Sequence, residues 1–253
     1  MTAPILSIRG LQKSFGDHDV LAGVDLDLHP AETLVVLGRS GSGKSVLIKV
    51  AVALMPPDQG SVEIFGQDIH ALDRRALDAL RVRLGFSFQH SALYDSMSVR
   101  DNLAFPLRIN QPDLAASEIS DRVEAAIEAV GLAHTLDQMP AELSGGQRKR
   151  VGIARTLILE PEIMFYDEPT AGLDPATCGE LNDLIVQVRE TTGTASIVIT
   201  HDLPSARAVG DRVAVLHEGR VLTTGPFDEV FATDHPLLNS FHDYAFLAPE
   251  ASA

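Results

Sequence analysis

The sequence predicts an α/β fold in which a strand hands a phosphate-binding loop to a helix and a helical segment interrupts the alternation of strands and helices. Three observations predict it. "TLVVL" followed by "GRSGSGKSVL", Gly38 to Leu47, reads as strand, small-residue turn and helix, and fits the pattern G-x-x-x-x-G-K-[ST]. "EIMFYDE" reads as a second apolar strand that ends in two carboxylates, Asp167 and Glu168. From about residue 98 to 152 strand signals vanish and helical spacing dominates. The expected organisation is one domain over residues 1–233 carrying a helical lobe inserted over about 98–152, with a tail over 234–253.

The elements follow in order. "ILSIRGLQKSF" and "VLAGVDLDLH" alternate apolar and polar residues, as strands of an N-terminal β region do, and "GDHD" turns between them. After the phosphate loop, "VLIKVAVAL" has helix length and "MPPDQG" stops it. "SVEIFGQDI" reads as one strand, "RRALDALRVRLG" as a helix and "FSFQ" as a short strand. In "SEISDRVEAAIEAVG" the residues Ile119, Val123, Ala126, Ile127 and Val130 share one helical face, and Gly131 suits a left-handed C-cap. Asp174 caps a helix whose first residue is Pro175 and whose buried stripe is Leu181, Leu184, Ile185 and Val188. "ASIVITH" is β-rich, and "VAVLHEGRVL" is a hairpin turning at Glu218-Gly219.

Composition narrows the class. With 253 residues, 45 % of them hydrophobic, the chain can bury a substantial core. Its 35 acidic against 20 basic residues give a formal charge of −15, which disfavours binding to a nucleic-acid backbone. A local basic face stays open at "SGGQRKR", where Arg148, Lys149 and Arg150 are adjacent. The single cysteine, Cys178, excludes an internal disulfide and fits a reducing compartment; it is expected to pack rather than react. "MTAPILSIRG" does not read as a signal peptide, and no apolar run approaches the roughly 18–20 residues that cross a bilayer. A membrane role therefore requires a membrane partner.

The chemistry is concentrated in three motifs. In a strand-loop-helix turn, backbone N–H groups and the helix N-terminus attract phosphate, and glycine lets the backbone approach its oxygens. The candidate nucleotide contacts are Gly38, Arg39, Ser40, Gly41, Ser42, Gly43, Lys44, Ser45 and Val46, with Lys44 reaching the β- and γ-phosphates and the Ser45 hydroxyl suiting Mg²⁺. Asp167, at its strand's end, suits the same metal, and Glu168 can take a proton from an attacking water. The third motif is "LSGGQ". Ser144, Gly145, Gly146 and Gln147 open a helix and repeat the anion-binding logic. One nucleotide does not need two such cradles; two copies facing head to tail would use both.

With these motifs in this order, the chain resembles the nucleotide-binding subunit of an ATP-binding-cassette (ABC) transporter over about residues 5 to 230. The resemblance implies a RecA-like P-loop NTPase core with an N-terminal antiparallel β subdomain and an inserted α-helical subdomain. It implies ATP and Mg²⁺ as cofactors, and ATP hydrolysis coupled to transport. It assigns Gln89 to the metal, the water and the relay toward a permease, His201 to the γ-phosphate, Asp174 in "AGLD" to the dimer interface, and Phe15 to adenine stacking. Many relatives have tyrosine at the position of Phe15. The surface near Gln89 and Tyr94 is where a permease helix is expected.

Finer texture, "GKSVLIK", "FQHSALYDSMSVRDNLAFPLR" and "LHEGRVLTTGPFDEVFATDHPLLNSF", is similar to the ATPases of bacterial phospholipid transporters of the mammalian-cell-entry (MCE) type. That resemblance implies an integral-membrane permease, a second copy of the chain, an MCE-domain lipid-binding protein, no nucleic acid, and a place on the cytoplasmic side of the inner membrane. Leu237, Leu238, Phe241, Tyr244 and Phe246 in the tail suit packing on a neighbouring subunit or on the chain's own domain. The alternative within the family is an ABC ATPase importing or exporting another small substrate, and the rival readings outside it are a soluble cassette ATPase in DNA repair or translation, a small-molecule kinase and an ATP-gated scaffold.

Overall fold

The computed structural model describes residues 3–89, 91–239 and 241. The chain forms two compact units, one of Met1–Leu72 with Ala195–Ala253 and one of Asp73–Thr194.

In the first unit, β1 (Leu6–Phe15) and β2 (His18–Leu28) form the expected hairpin, paired from Leu6 opposite Leu28 to Phe15 opposite His18 with register shifts between Ile8 and Leu11, Leu11 and Gln12, and Lys13 and Ser14. β4 (Gln59–Ile64) pairs antiparallel with the other edge of β1, which gives the order β2-β1-β4-β5 with β5 at Gln67–Asp68. "SVEIFGQDI" is thus a hairpin rather than one strand. Phe65 (φ 52°) and Gly66 (φ 74°) are both left-handed, the backbone of a two-residue turn that matches strand twist. A bulky residue in that conformation carries no turn signal.

The same unit holds β3 (Thr33–Leu37), parallel to both β8 (Ala195–Thr200) and β9 (Arg212–His217), with β10 (Arg220–Gly225) antiparallel to β9. β3 and β8 are buried along their whole length, as strands covered on both faces must be. The β9–β10 turn is the expected Glu218-Gly219, both left-handed. α1 (Lys44–Ala51) stops short of the apolar run that predicts it, because Ala53 turns left-handed (φ 54°) and Leu54 N–H bonds back to Lys49 O. The short helices α7 (Leu203–Val209) and α8 (Phe227–Ala232) were not foreseen; seven and six residues are too few to display a 3.6-residue period. Leu238 and Phe241 are buried within the chain, while Tyr244 and Phe246 lie outside the described residues.

The second unit holds α2 (Arg74–Val82), β6 (Leu84–Ser87), α3 (Val99–Asn110), α4 (Ala116–Ala129), α5 (Gly145–Leu157), β7 (Ile163–Asp167) and α6 (Pro175–Thr192). β6 begins two residues before the "FSFQ" that announces it and ends before Phe88. Between β6 and β7 the described regular elements are all helical. Val123, Ile127 and Val130 of the α4 stripe are buried, and Gly131 (φ 71°) closes it as expected. The α6 stripe Leu181, Leu184, Ile185 and Val188 is buried, and Gly193 (φ 68°) caps that helix.

Candidate functional site

The phosphate loop leaves β3, and two of its glycines, Gly38 and Gly43, are steric requirements. A Cβ on Gly38 would meet Leu216 O at 2.8 Å and collide with Ser42 Oγ. Gly43 (φ 100°) would place one 2.8 Å from Val20 O on β2. Gly43 also occupies the N-cap of α1 and, having no side chain, makes no cap bond of its own to that positive helix end. Lys44, only 6 % exposed, donates to Gly38 O (2.6 Å) and Arg39 O (3.3 Å), which folds its ammonium over the loop. Ser42 Oγ is buried with no hydrogen-bond partner. A cradle closed to Cβ atoms, a buried cation and an orphaned hydroxyl suit a phosphate group.

Two other predicted residues share this unit. Leu37 is in register with Thr200, and Gly38 N–H donates to Thr200 O (3.3 Å), so His201 lies beside the loop's entrance. The turn carrying His201 is fixed by Asp202, whose N–H donates to Thr200 Oγ1 (3.0 Å) and whose carboxylate caps α7 at Ser205 N–H (3.1 Å). Phe15, at the end of β1, is 48 % exposed, with the Lys13 ammonium 5.8 Å from its ring. An exposed ring at a strand end suits stacking better than a core role.

The second unit brings together the rest. Ser87 on β6 is in register with Tyr166 on β7, so Gln89 and Glu168 each lie two residues beyond one pair, at the carboxyl ends of neighbouring parallel strands. Ile163 to Tyr166 are fully buried, which drives β7 and leaves Asp167 and Glu168 at its half-buried end. Glu168 adopts a left-handed backbone (φ 47°), rare for a side chain of this size. Tyr94 is exposed, packs edge-on against Phe105 (5.1 Å between centroids) and lies under the Arg155 guanidinium (5.5 Å).

At the start of α5, Ser144 Oγ accepts from Gln147 N–H (3.2 Å) and Gln147 Oε1 accepts from Ser144 N–H (2.8 Å), a reciprocal capping box. The hydroxyl thereby serves as acceptor and keeps its proton to donate. Gly145 faces Leu173 Cδ2, 3.6 Å from where a Cβ would stand, and a Cβ on Gly146 would collide with Thr177 Cγ2. Asp174 caps α6, accepting from Ala176 and Thr177 N–H (both 3.1 Å) and from Thr177 Oγ1 (2.5 Å). These bonds, the hydroxyl's first, hold its carboxyl below the usual range. The "LSGGQ" turn and the "AGLD" segment are therefore packed together.

The basic run after "LSGGQ" is not a free cationic face. Arg148 donates to Leu143 O (2.7 Å), Lys149 donates to Glu168 O (3.2 Å) and Pro169 O (2.5 Å), and Arg150 pairs with Glu180. The Lys149 contact went unforeseen, because a lysine in a charge run carries no mark of a partner 19 residues away. Cys178 Sγ approaches Thr170 O (3.6 Å) and Leu173 O (3.7 Å), a packing role.

The sequence model of the family described as ABC transporter matches residues 21–171. The chain belongs to the ABC transporter family. Methionine import ATP-binding protein MetN 1 of Acinetobacter baylyi is 39 % identical over 235 residues, which cover 91 % of this chain and 65 % of that protein. The "Probable ribonucleotide transport ATP-binding protein mkl" of Mycobacterium leprae is 38 % identical over 236 residues, 93 % of this chain and 68 % of that protein. The chain thus spans about two thirds of the length of these relatives. Among solved structures, CbiO1 of Clostridium perfringens, part of the ABC transporter complex CbiONQ, superposes with a TM-score of 0.84 at 32 % identity, covering 96 % of this chain and 99 % of that one. The cassette MJ0796, a dimer in a post-hydrolysis state bound to ADP and phosphate, gives 0.80 at 29 %, covering 88 % and 98 %.

The fold is accordingly that of the ABC ATPase, an ATP-hydrolysing cassette that works with ATP and Mg²⁺. Taken singly, the Ser45 hydroxyl, the Gln89 amide and the Asp167 carboxylate are each hard oxygen donors of the kind magnesium prefers. Among the described residues no helix is long and apolar enough to cross a membrane.

Proposed function

We propose that this chain is the ATP-hydrolysing subunit of a membrane transporter and works as a pair of identical copies, each completing the other's nucleotide site. The observation that supports the reading is that α1 and α5 of one chain both begin in small-residue turns suited to an anion, at Gly38–Ser45 and Ser144–Gln147. Lys44 and the loop amides hold the β- and γ-phosphates. Ser144, Gly145 and Gly146 of the second copy close over the γ-phosphate, the serine donating its hydroxyl. Ser45, Asp167 and Gln89 hold Mg²⁺, which when bound neutralises charge on the β- and γ-phosphates. Glu168 takes the proton of the attacking water, and His201 orients the γ-phosphate. Phe15 stacks on the adenine. Asp174 keeps "AGLD" in shape for the contact with the second copy. Loss of the γ-phosphate removes what Ser144 and Lys44 hold, and the pair reopens.

The membrane partner is a permease whose helix docks near Gln89 and Tyr94, on the cytoplasmic side of the inner membrane. The division into a cassette with a helical lobe over about 98–152 and a tail after residue 233 follows from the same reading. For the cargo we propose phospholipid, with an MCE-domain protein in the complex; the support is the likeness of the three stretches named above. A second reading, import of a small polar solute, is favoured by the methionine and ribonucleotide transport named for the relatives. Purification from membranes separates them: an MCE-domain protein travelling with the permease supports lipid, and a soluble solute receptor supports the second.

Replacing Glu168 by Gln tests the mechanism. ATP binding should persist, turnover should fall by about 10²–10⁴, the range for a lost general base, and a nucleotide-bound dimer should accumulate on size exclusion. Unchanged turnover would move the base elsewhere.

A further inference from the structure

The seam between α5 and the segment that follows Glu168 carries more than packing. Three points along it are glycine or aliphatic contacts and an exposed ion pair: Gly145 with Leu173, Gly146 with Thr177, and Arg150 with Glu180. The fourth is different in kind. Lys149 is half-buried, and its ammonium spends its hydrogen bonds on two consecutive main-chain carbonyls, Glu168 O (3.2 Å) and Pro169 O (2.5 Å). A charged donor on a carbonyl makes a stronger bond than a neutral one. It grips the backbone at the residue with the left-handed φ of 47°. Ala171 N–H shares the Glu168 carbonyl (3.2 Å), so the turn Glu168–Ala171 is closed from both sides. Desolvation lowers the Lys149 pKa, and the nearby Cys178, Glu168 and Asp167 oppose that shift.

We propose that Lys149 is a positioning residue for ATP hydrolysis: by clamping the Glu168 and Pro169 carbonyls it fixes the strained backbone from which the Glu168 carboxylate is aimed. The proposal rests on the reading of Glu168 as the base. It has a consequence for the pair. α5 begins with the "LSGGQ" turn that a copy lends to its neighbour, while Glu168 serves the copy's own nucleotide. Lys149 therefore ties a protomer's own base to the element it offers across the dimer. An arginine at this place would reach the same carbonyls, and a glutamine amide would reach them with less charge and a shorter arm.

The test compares Lys149→Met, Lys149→Gln and Lys149→Arg with the unchanged protein in three measurements: ATP turnover, thermal midpoint, and amide exchange over residues 168–173 without nucleotide. Lys149→Met should lower kcat about 10-fold, a modest misplacement of the base, with KM for ATP moving less than about twofold. Exchange over 168–173 should rise while the rest of the chain exchanges as before. Arginine should restore most of the turnover and glutamine part of it. Unchanged kcat with unchanged exchange overturns the proposal. So does a fall in thermal midpoint with KM and kcat degrading together and no rescue by arginine, which would make Lys149 a packing residue. Should Lys149→Met not fold, the glutamine and arginine variants carry the same comparison. Glu168→Gln keeps the two readings apart: if it leaves turnover intact the base assignment fails, while the exchange over 168–173 still reports the clamp.

Discussion

The two helix N-termini built from small residues, those of α1 and α5, deal with their orphan amides in opposite ways. α1 is capped by Gly43 in a left-handed backbone, a residue with no side chain to make a cap bond, beside an orphaned Ser42 hydroxyl and a lysine folded over the loop. α5 is capped by its own Ser144 and Gln147 in a closed box, with Ser144 in ordinary extended backbone (φ −65°). The box at the second end engages the Ser144 and Gln147 amides and holds the turn in shape without a ligand, and the Gly145 and Gly146 amides lie outside it. A turn held by its own box keeps its shape on release, which suits a lid, whereas a turn shaped by glycine backbone and a folded-over lysine suits a permanent seat. The glycines differ in the same sense. Those of the phosphate loop are required by backbone conformation and by close carbonyls, and Gly146 is required by a neighbouring methyl group.

The sharpest way to break this comparison is Gly43→Ala. The new side chain must hold φ near 100° and stand 2.8 Å from a main-chain oxygen that cannot yield without moving β2. We expect a loss of about 2–3 kcal/mol in urea unfolding and loss of measurable ATP binding by titration. Gly41→Ala is the control, since Gly41 is left-handed (φ 84°) with nothing within 4 Å of its Cβ position, and it should pay the conformational strain alone. Equal losses in the two variants would show that Val20 O is no obstacle.

Gly146→Ala comes next. Its Cβ would collide with the Thr177 methyl, a side-chain atom that can shift, so about 1–2 kcal/mol is expected, with ATP affinity of the isolated chain kept. Adding Thr177→Ser removes the methyl, keeps the hydroxyl on Asp174, and should return most of the loss. Gly145→Ala, facing only Leu173 at 3.6 Å, should leave the unfolding midpoint almost unchanged. If Gly145→Ala proves the more damaging of the two, the seam is not where the α5 glycines are decided.

The parts of this molecule that sequence reveals are those whose physics is local. A loop of small residues between an apolar strand and a helix announces itself, and so do four buried residues driving Asp167 to a strand end. The Asp174–Pro175 start of α6 is a cap written in adjacent letters. What stayed hidden depends on partners distant in the chain or on backbone that side-chain type does not encode. Lys149 has the composition of a solvated charge and the geometry of a clamp, because only tertiary packing brings the Glu168 carbonyl to it. The Phe65-Gly66 turn is hidden inside a run of strand-like letters, because phenylalanine favours strands and its left-handed backbone leaves no mark in the sequence. Pattern cannot show whether Phe15 faces solvent or core, and the hairpin's geometry places it in solvent.

The smallest expected effect separates the neighbouring caps of α5 and α6 by pH. The α5 box is made of Ser144 and Gln147 and has no titratable group, whereas the α6 cap is the Asp174 carboxylate. Thr177 Oγ1 first, then the Thr177 and Ala176 amides, hold its pKa below the ordinary value. A carboxyl with a depressed folded-state pKa contributes stability that is complete above its unfolded pKa, about 3.9, and that disappears as pH falls through the folded value. Between pH 7 and 5 the gap in thermal midpoint between the unchanged protein and Asp174→Asn should therefore be constant. Below about pH 4 the gap should narrow as the native carboxylate takes up its proton. Ser144→Ala should show a gap that does not change over the same range. A pH-independent gap for Asp174→Asn would mean that the cap is worth the same with or without its charge, and that α6 begins on hydrogen-bond geometry alone, as α5 does.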